Sequence, residues 1–277
     1  VSKALNNYPD VSEKTRKRIM KIAAEAGYIP NATAQSLVRK KSNTIGVVYE
    51  LERGLKNLFF SEVLDAFRAA IERKGYDILL LSNKSNLGLD YVDHSRFKQV
   101  DGVLIVAGGR NVDAIGRMKE NNLPVLTLDP PLELKNAIYS DSYSGIIKAC
   151  GYLYQLGHRK IAFIQGDSET LIGSKRNRAY LDFIREKGLS PIMADRSNIY
   201  YSMEEGYGTM QAIFEKHGLP DAVIASSDLM ALGAMNYIKS NGFVIPDDIS
   251  VIGFDNLQFC EIVEPRLTTV KQDYKHI

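Results

Sequence analysis

The sequence predicts an α/β protein: two doubly wound parallel sheets, each with helices on both faces, behind a small all-α headpiece. Three observations carry this reading. From Thr44 onward, short apolar runs alternate with amphipathic helical stretches to the end of the 277 residues, and such alternation is the signature of parallel sheets wrapped by helices. That stretch is longer than one doubly wound sheet comfortably holds, so two similar lobes dividing near Ser140–Asp141 are the economical arrangement. Before Thr44 the pattern is purely helical and the charge changes sign. Residues 1–43 carry nine basic side chains (Lys3, Lys14, Arg16, Lys17, Arg18, Lys21, Arg39, Lys40, Lys41) against three acidic ones (Asp10, Glu13, Glu25), while the whole chain is only +2. A basic head on a mildly acidic body is the footprint of a polyanion-binding segment joined to something else.

The elements follow in order. Residues 12–27 read as a helix with Ser12 as N-cap and Gly27 at the C′ position; Ile19, Ile22, Ala23 and Ala26 share one face and the basic residues take the other. The stub Val1 to Asn6, closed by the turn-rich Asn6-Asn7-Tyr8-Pro9-Asp10, is the upstream partner on offer. A short helical run, Ala32 to Lys40, leads into the linker Ser42-Asn43-Thr44. Strands are expected at Ile45–Tyr49, Asp77–Leu81, Gly102–Val106, Val125–Leu128, Lys160–Ile164, Ala222–Ala225 and Ser250–Gly253. Helices are expected at 60–74, 89–99, 111–121, 142–156, 175–187, 203–217 and 228–241. Ligands of open parallel sheets bind beyond the carboxyl ends of the strands, so two facing lobes create a cleft.

Composition, at 45% hydrophobic and 25% charged residues, is that of a globular protein and excludes collagen-like and disordered classes. No apolar run reaches the ~18 residues of a membrane span and the start lacks a signal peptide's features, so a cytoplasmic protein is expected. The chain opens at Val1 in what reads as mid-helix, which suggests a fragment. Cys150 and Cys260 read as reduced core thiols, and the four histidines have no metal-ligand spacing. Phosphate-loop, zinc-protease and serine-hydrolase motifs are absent, and Gly206-Tyr207-Gly208 is followed by Gln211 where a dinucleotide fingerprint wants glycine or alanine. No enzyme, cofactor or metal is therefore expected.

A resemblance covers nearly the whole chain. Val1-Ser2-Lys3-Ala4-Leu5-Asn6, Val11-Ser12-Glu13-Lys14-Thr15-Arg16, Asn31-Ala32-Thr33-Ala34-Gln35-Ser36-Leu37 with Ile45-Gly46-Val47, and Gly157-His158-Arg159-Lys160-Ile161 resemble the lac repressor (LacI/GalR) family of bacterial transcription regulators. So do Ser227-Asp228 with Ala231-Leu232-Gly233, the run Ile245 to Asp255, and Pro265-Arg266-Leu267-Thr268-Thr269-Val270, all in family order. The resemblance implies a partial helix-turn-helix headpiece over 1–30, a hinge helix and linker over 31–43, and a two-lobed periplasmic-binding-protein-like core with lobes 44–140 and 141–277. The segment 268–277 would cross back to the N-terminal lobe. It further implies a homodimer on a pseudo-palindromic double-stranded operator, a small-molecule effector of carbohydrate type, and a chain truncated at both ends. A transport-type sugar-binding protein is the alternative, and the basic head argues against it.

Site residues follow from the resemblance and from their chemistry. Ser12 and Thr15 open a helix whose free N–H groups suit a phosphate, with Lys3 and Asn6 on the preceding stub and Tyr28 and Asn31 between helix and hinge. Tyr28 has packing on Ile19 or Ile22 as its rival role. In the hinge, small Ala34 permits close approach of a dimer mate and Leu37 projects as an apolar wedge for the minor groove, while Gln35 departs from the family's commoner arginine. Such a short helix is marginal alone in water and is expected to fold on DNA. For the effector, the resemblance singles out Phe59, Phe60 and Tyr201 as ring-stacking aromatics, Arg176 and Asp255 as ligand-binding charges, and Asp141 and Ser227 at strand-to-helix junctions. Adjacent Phe59 and Phe60 cannot both face the cleft, so one competes for a core role; Asp141 and Asp228 are also natural N-caps, the preferred reading for Asp228. Arginine and aspartate between aromatic faces suit a polyol or a purine.

Overall fold

The computed structural model describes residues 1–5, 8–29, 31, 36, 40–49, 58–81, 88–106, 112–129, 136–195, 200–274 and 276–277. In the headpiece, α1 (Ser2–Leu5) packs on α2 (Glu13–Glu25) through Ala4, which is 2% exposed. Ser12 caps α2 by accepting from the Thr15 N–H. At the other end Gly27, at φ +62°, lets the Tyr28 and Gly27 N–H groups reach the carbonyls of Ala23 and Ala24, the glycine-closed helix terminus read from the sequence. The apolar face is only partly covered: Ile19 and Ala23 are half-buried, and Ile22 stays 53% exposed.

The first lobe holds β1 (Thr44–Tyr49), α3 (Leu58–Glu72), β2 (Asp77–Leu81), α4 (Tyr91–Phe97), β3 (Gly102–Val106), α5 (Val112–Glu120), β4 (Val125–Leu128) and β5 (Ala137–Ile138). The second holds α6 (Ser142–Gln155), β6 (Ile161–Ile164), α7 (Leu171–Glu186), β7 (Ile192–Met193), α8 (Met203–His217), β8 (Ala222–Ala225), α9 (Asp228–Ser240), β9 (Ser250–Asp255), a 3-10 turn at Gln258–Glu261, and β10 (Thr268–Lys271). Both sheets are parallel, ordered β2-β1-β3-β4-β5 and β7-β6-β8-β9-β10. Their strand orders are thus the same, and each sheet reverses its winding at its first strand. The central strands β3, β6 and β8 are buried along their whole length, as continuous Val, Ile, Leu and Ala runs require when helices cover both faces.

Several boundaries differ from the expected ones. Strands β5 and β7 have two residues each, too few to leave an apolar run in the sequence. The helix expected at 175–187 begins at Leu171, because Thr170 caps it by accepting from the Gly173 N–H. The segment 268–277 does not cross back as one piece. Its strand β10 is the edge of the second sheet, paired with β9, and only the residues after it reach the first lobe, where Tyr274 and Ile277 pack on the cluster of Val47, Phe60, Val63 and Val106.

Asp228 also departs from expectation. Ser227 is the N-cap of α9, its hydroxyl accepting from the Met230 N–H at 3.2 Å. Asp228 is instead fully buried and accepts from the Leu257 N–H at 2.7 Å and from the Thr269 hydroxyl at 2.5 Å, fastening the turn after β9 to the edge strand. Charged acceptors make the stronger hydrogen bonds, so Asp228→Asn is expected to lower the unfolding free energy by about 1 to 2 kcal/mol. Unchanged urea midpoints would show that the charge is not used.

Candidate functional site

Side chains from the carboxyl-end sides of both sheets and from the helix after β6 meet around Arg176 and Asp255. Arg176, in the second turn of α7, is 4% exposed. Its Nε donates to the Ser142 hydroxyl at 3.2 Å, one terminal nitrogen donates to the Ser226 carbonyl at 2.5 Å, and the guanidinium lies over the Phe254 ring at 3.9 Å. The other terminal nitrogen is 4.0 Å from a carboxylate oxygen of Asp255, which is 6% exposed. Asp255 ends β9 at φ +122°, a backbone region rarely occupied outside glycine and one that marks functional positions when it occurs. Burial pushes its carboxyl up to about 7, against the pull of Arg176 and with a further push from Asp228.

Tyr201, just before α8, is half-buried, with its hydroxyl over the Gly166 backbone, beside the Thr170 side chain, and in no well-formed hydrogen bond among the described residues. The Ser226 hydroxyl is likewise buried without a partner among the described residues. Buried polar groups left open at a strand-end cleft are what a hydroxylated ligand satisfies. Asn177 braces this rim by exchanging two hydrogen bonds, each 3.0 Å, with the Gly166 backbone.

The other sequence-derived residues sort as follows. Phe60 is corrected: at 1% exposure and stacked on Tyr49 with ring centroids 4.2 Å apart, it is a core side chain. Phe59, half-buried against Tyr274 at 5.9 Å, is the aromatic left near the cleft. Asp141 is an exposed N-cap of α6, accepting from the Ser144 N–H, and hydrogen bonds from the Ser144 hydroxyl and then from that N–H hold its carboxyl below the usual range. It lines a recess of about 420 Å³ with Tyr139, Ser140, Tyr143, Lys175 and Arg178 and does not join Arg176 and Asp255. Ser227 is 4% exposed and spent as the cap of α9.

Sequence reading missed the first lobe's own carboxylate. Asp129, following β4, is 9% exposed and raised by burial; it accepts from the Ser140 N–H at 2.8 Å and sits beside the Ser140 hydroxyl at 2.9 Å. Gln272, following β10, was missed as well. It contacts the Ser140 hydroxyl at 2.8 Å and Asp255 at 2.7 Å, joining the lobes. An acid just after an apolar strand is the signal that picks out Asp255, and the same signal in Leu126-Thr127-Leu128-Asp129 finds Asp129.

On the headpiece, Lys3 pairs with Asp10 at 2.5 Å, Ser12 and Thr15 join hydroxyls at 2.8 Å, and Tyr28 is 55% exposed rather than packed away. Asn31 is exposed. Asn6, Ala34, Gln35 and Leu37 lie outside the described residues. The linker is anchored: the Asp101 carboxylate accepts from the Ser42 N–H, the Ser42 hydroxyl and the Asn43 N–H at 2.9, 3.1 and 2.9 Å. The residues entering the linker are thereby fixed to the first lobe.

Comparison with known proteins gives this arrangement its context. Residues 150–277 match the family described as periplasmic binding protein-like domain, and residues 1–31 match bacterial regulatory proteins, lacI family. The chain is 33% identical to the probable HTH-type transcriptional repressor ExuR of Bacillus subtilis (strain 168), covering 100% of this chain and 83% of that protein. The chain belongs to the lacI family of bacterial regulatory proteins. It is 32% identical to the HTH-type transcriptional repressor CytR of Escherichia coli (strain K12), over 98% of this chain and 80% of that one. Among solved structures, the lac repressor dimer bound to operator and the anti-inducer ONPF superposes with a TM-score of 0.82 at 28% identity, covering 99% of this chain and 83% of that chain. As a lacI-family member the chain is a ligand-responsive transcriptional regulator of the repressor type. Among the described residues, no helix is long and apolar enough to cross a membrane.

Proposed function

We propose that the cleft between Arg176, Asp255 and Tyr201 on the second lobe and Asp129 and Phe59 on the first is the effector site of a cytoplasmic repressor without enzymatic activity. The divisions 1–30, 31–43, 44–140 and 141–277 serve as headpiece, hinge with linker, and the two core lobes. A homodimer presents two headpieces to a pseudo-palindromic operator at the nucleoid, with Lys3, Asn6, Ser12, Thr15, Tyr28 and Asn31 on the DNA and Ala34 and Leu37 in the hinge. The observation that carries the reading is the cluster of Arg176, Asp255, Tyr201 and Ser226, whose Tyr201 and Ser226 hydroxyls are buried without a hydrogen-bond partner among the described residues and whose chemistry fits a polyhydroxylated ligand such as a sugar or sugar derivative. A ligand bridging two lobes favours whichever lobe arrangement it binds more tightly, and Asp101 carries that arrangement to the hinge.

A thermal-shift screen of sugars, sugar phosphates and nucleobases tests the site. A melting shift that grows with ligand concentration is expected for at least one sugar; shifts confined to nucleobases would replace the sugar reading by a purine one. For the hinge, Leu37→Ala is expected to weaken specific operator binding about tenfold while leaving the salt dependence of binding nearly unchanged, because an apolar wedge holds bent DNA without touching phosphate. Normal operator affinity with a lowered melting temperature would make Leu37 a packing residue instead.

A further inference from the structure

The bridge between the lobes contains more hydrogen-bond acceptors than donors. Its atoms run Asp129, Ser140, Gln272, Asp255, with successive contacts of 2.9, 2.8 and 2.7 Å. Ser140 has one hydroxyl proton, and a carboxylate only accepts. With the Gln272 amide nitrogen donating to Asp255, its oxygen faces Ser140, which then has two acceptors, that oxygen and Asp129, and one proton to give. With the amide turned over, the nitrogen donates to Ser140 and Ser140 donates to Asp129, but the amide oxygen meets Asp255, acceptor against acceptor. Either way the chain of contacts closes only if one carboxyl carries a proton. A proton on Asp129 completes the first arrangement and a proton on Asp255 completes the second.

We propose that Asp129 and Asp255 share a single titratable proton across the lobe interface through Ser140 and Gln272, so that this inter-lobe bridge is made or broken by protonation. The surroundings suit it. Asp129 and Asp255 are 9% and 6% exposed, and burial raises both carboxyls. The charged groups facing them are Arg176 and Lys175 from α7, which favour ionisation, and Asp228 from α9, which opposes it at Asp255. The Tyr274 hydroxyl is spent on the Asp255 carbonyl at 2.9 Å and is not a donor to the carboxylates. One guanidinium serving a pair of buried carboxylates leaves the pair, rather than either member, as the titrating unit.

A consequence for regulation rests on the cleft reading above, whereas the shared proton does not. A ligand hydroxyl donating to either carboxylate does what the proton does, so ligand and proton compete, and ligand affinity rises with pH through the titration.

The test needs neither ligand nor DNA, so its failure is separate from failure of the effector reading. The sign is as follows. Between the ordinary carboxylate range and neutrality the native chain holds a proton that the unfolded chain has lost, so stability falls as pH rises. Urea midpoints of the 277-residue chain between pH 5 and 7 are expected to report about one proton lost from this pair on unfolding, relative to Asp129→Asn. Asparagine at either position supplies the missing donor and lets the other carboxylate ionise. Asp129→Asn and Asp255→Asn should therefore each abolish the whole neutral-range proton, and the double variant should remove nothing further. Carboxyl-carbon NMR shifts in the native state provide a reading independent of folding yield: wild type shows one protonated carboxyl between the two residues, and Asp129→Asn shows Asp255 ionised. Two ionised carboxylates in native wild type at pH 6 overturn the proposal. So does an Asp255 that stays protonated in Asp129→Asn, which would mean independent burial rather than a shared proton.

Discussion

Gly206→Ala or Gly233→Ala is expected to destabilise the second lobe by about 3 kcal/mol or more. These residues sit where α8 and α9 cross with backbone nearly touching backbone. A Cβ on Gly206 would lie 2.1 Å from the Met230 carbonyl oxygen, and one on Gly233 would lie 2.0 Å from the Met203 carbonyl oxygen and 2.7 Å from the Tyr207 nitrogen. Real contacts need well over 3 Å, and here the obstacle is helix backbone rather than a flexible side chain, so the helices themselves must separate by about an ångström. Separation opens the packing of Met210, Ile213, Met230 and Ala234 and forfeits dispersion contacts along its length. Because a first alanine already spreads the helices, the double variant should cost less than the two singles added. Urea unfolding measures all three, and a change below about 1 kcal/mol in both singles would show that the helices can separate freely at this crossing.

Asp255→Ala is expected to weaken effector binding by roughly a hundredfold. Its carboxylate is buried beside Arg176, and in the proposed effector site a ligand hydroxyl would donate to it. Two charge-assisted hydrogen bonds lost at about 1.5 kcal/mol each, the lower end of their range, sum to about 3 kcal/mol, or about two factors of ten in affinity. The ligand-induced melting shift of the variant should then nearly vanish at concentrations that saturate the wild type. Calorimetry showing equal affinity would place Asp255 outside the site.

Much of this was legible because the physics is local. Apolar runs such as Gly102–Val106 and Ala222–Ala225 leave no choice but buried parallel strands, and Ser12 and Gly27 announce the ends of α2 by chemistry that needs no tertiary partner. What escaped depends on contacts distant in sequence. Ser227 and Asp228 are adjacent and both are good caps; only the arrival of Leu257 and Thr269 decides that the serine caps and the aspartate fastens the turn. Phe59 and Phe60 cannot be told apart until Tyr49 is placed under one and Tyr274 beside the other. Asp141 and Asp129 both neighbour apolar strands, but Asp141 is taken by its own helix while Asp129 is held by Ser140, eleven residues on. The start of α7 at Leu171 escaped as well, since Gly173 is needed inside the helix only because the Asp167 carbonyl lies 2.0 Å from where its Cβ would be.

The return of the chain after β10 makes the first lobe discontinuous in sequence. Among the described residues its strands lie before Tyr139, yet Tyr274 and Ile277 belong to the same apolar cluster as Val47 and Phe60. During synthesis the first lobe therefore emerges with that part of its surface bare and waits for the whole second lobe before it is sealed. The order of translation and the order of completion are opposite: the lobe made first is finished last, and a nascent chain passes through a stage in which its half-closed core needs protection from other chains.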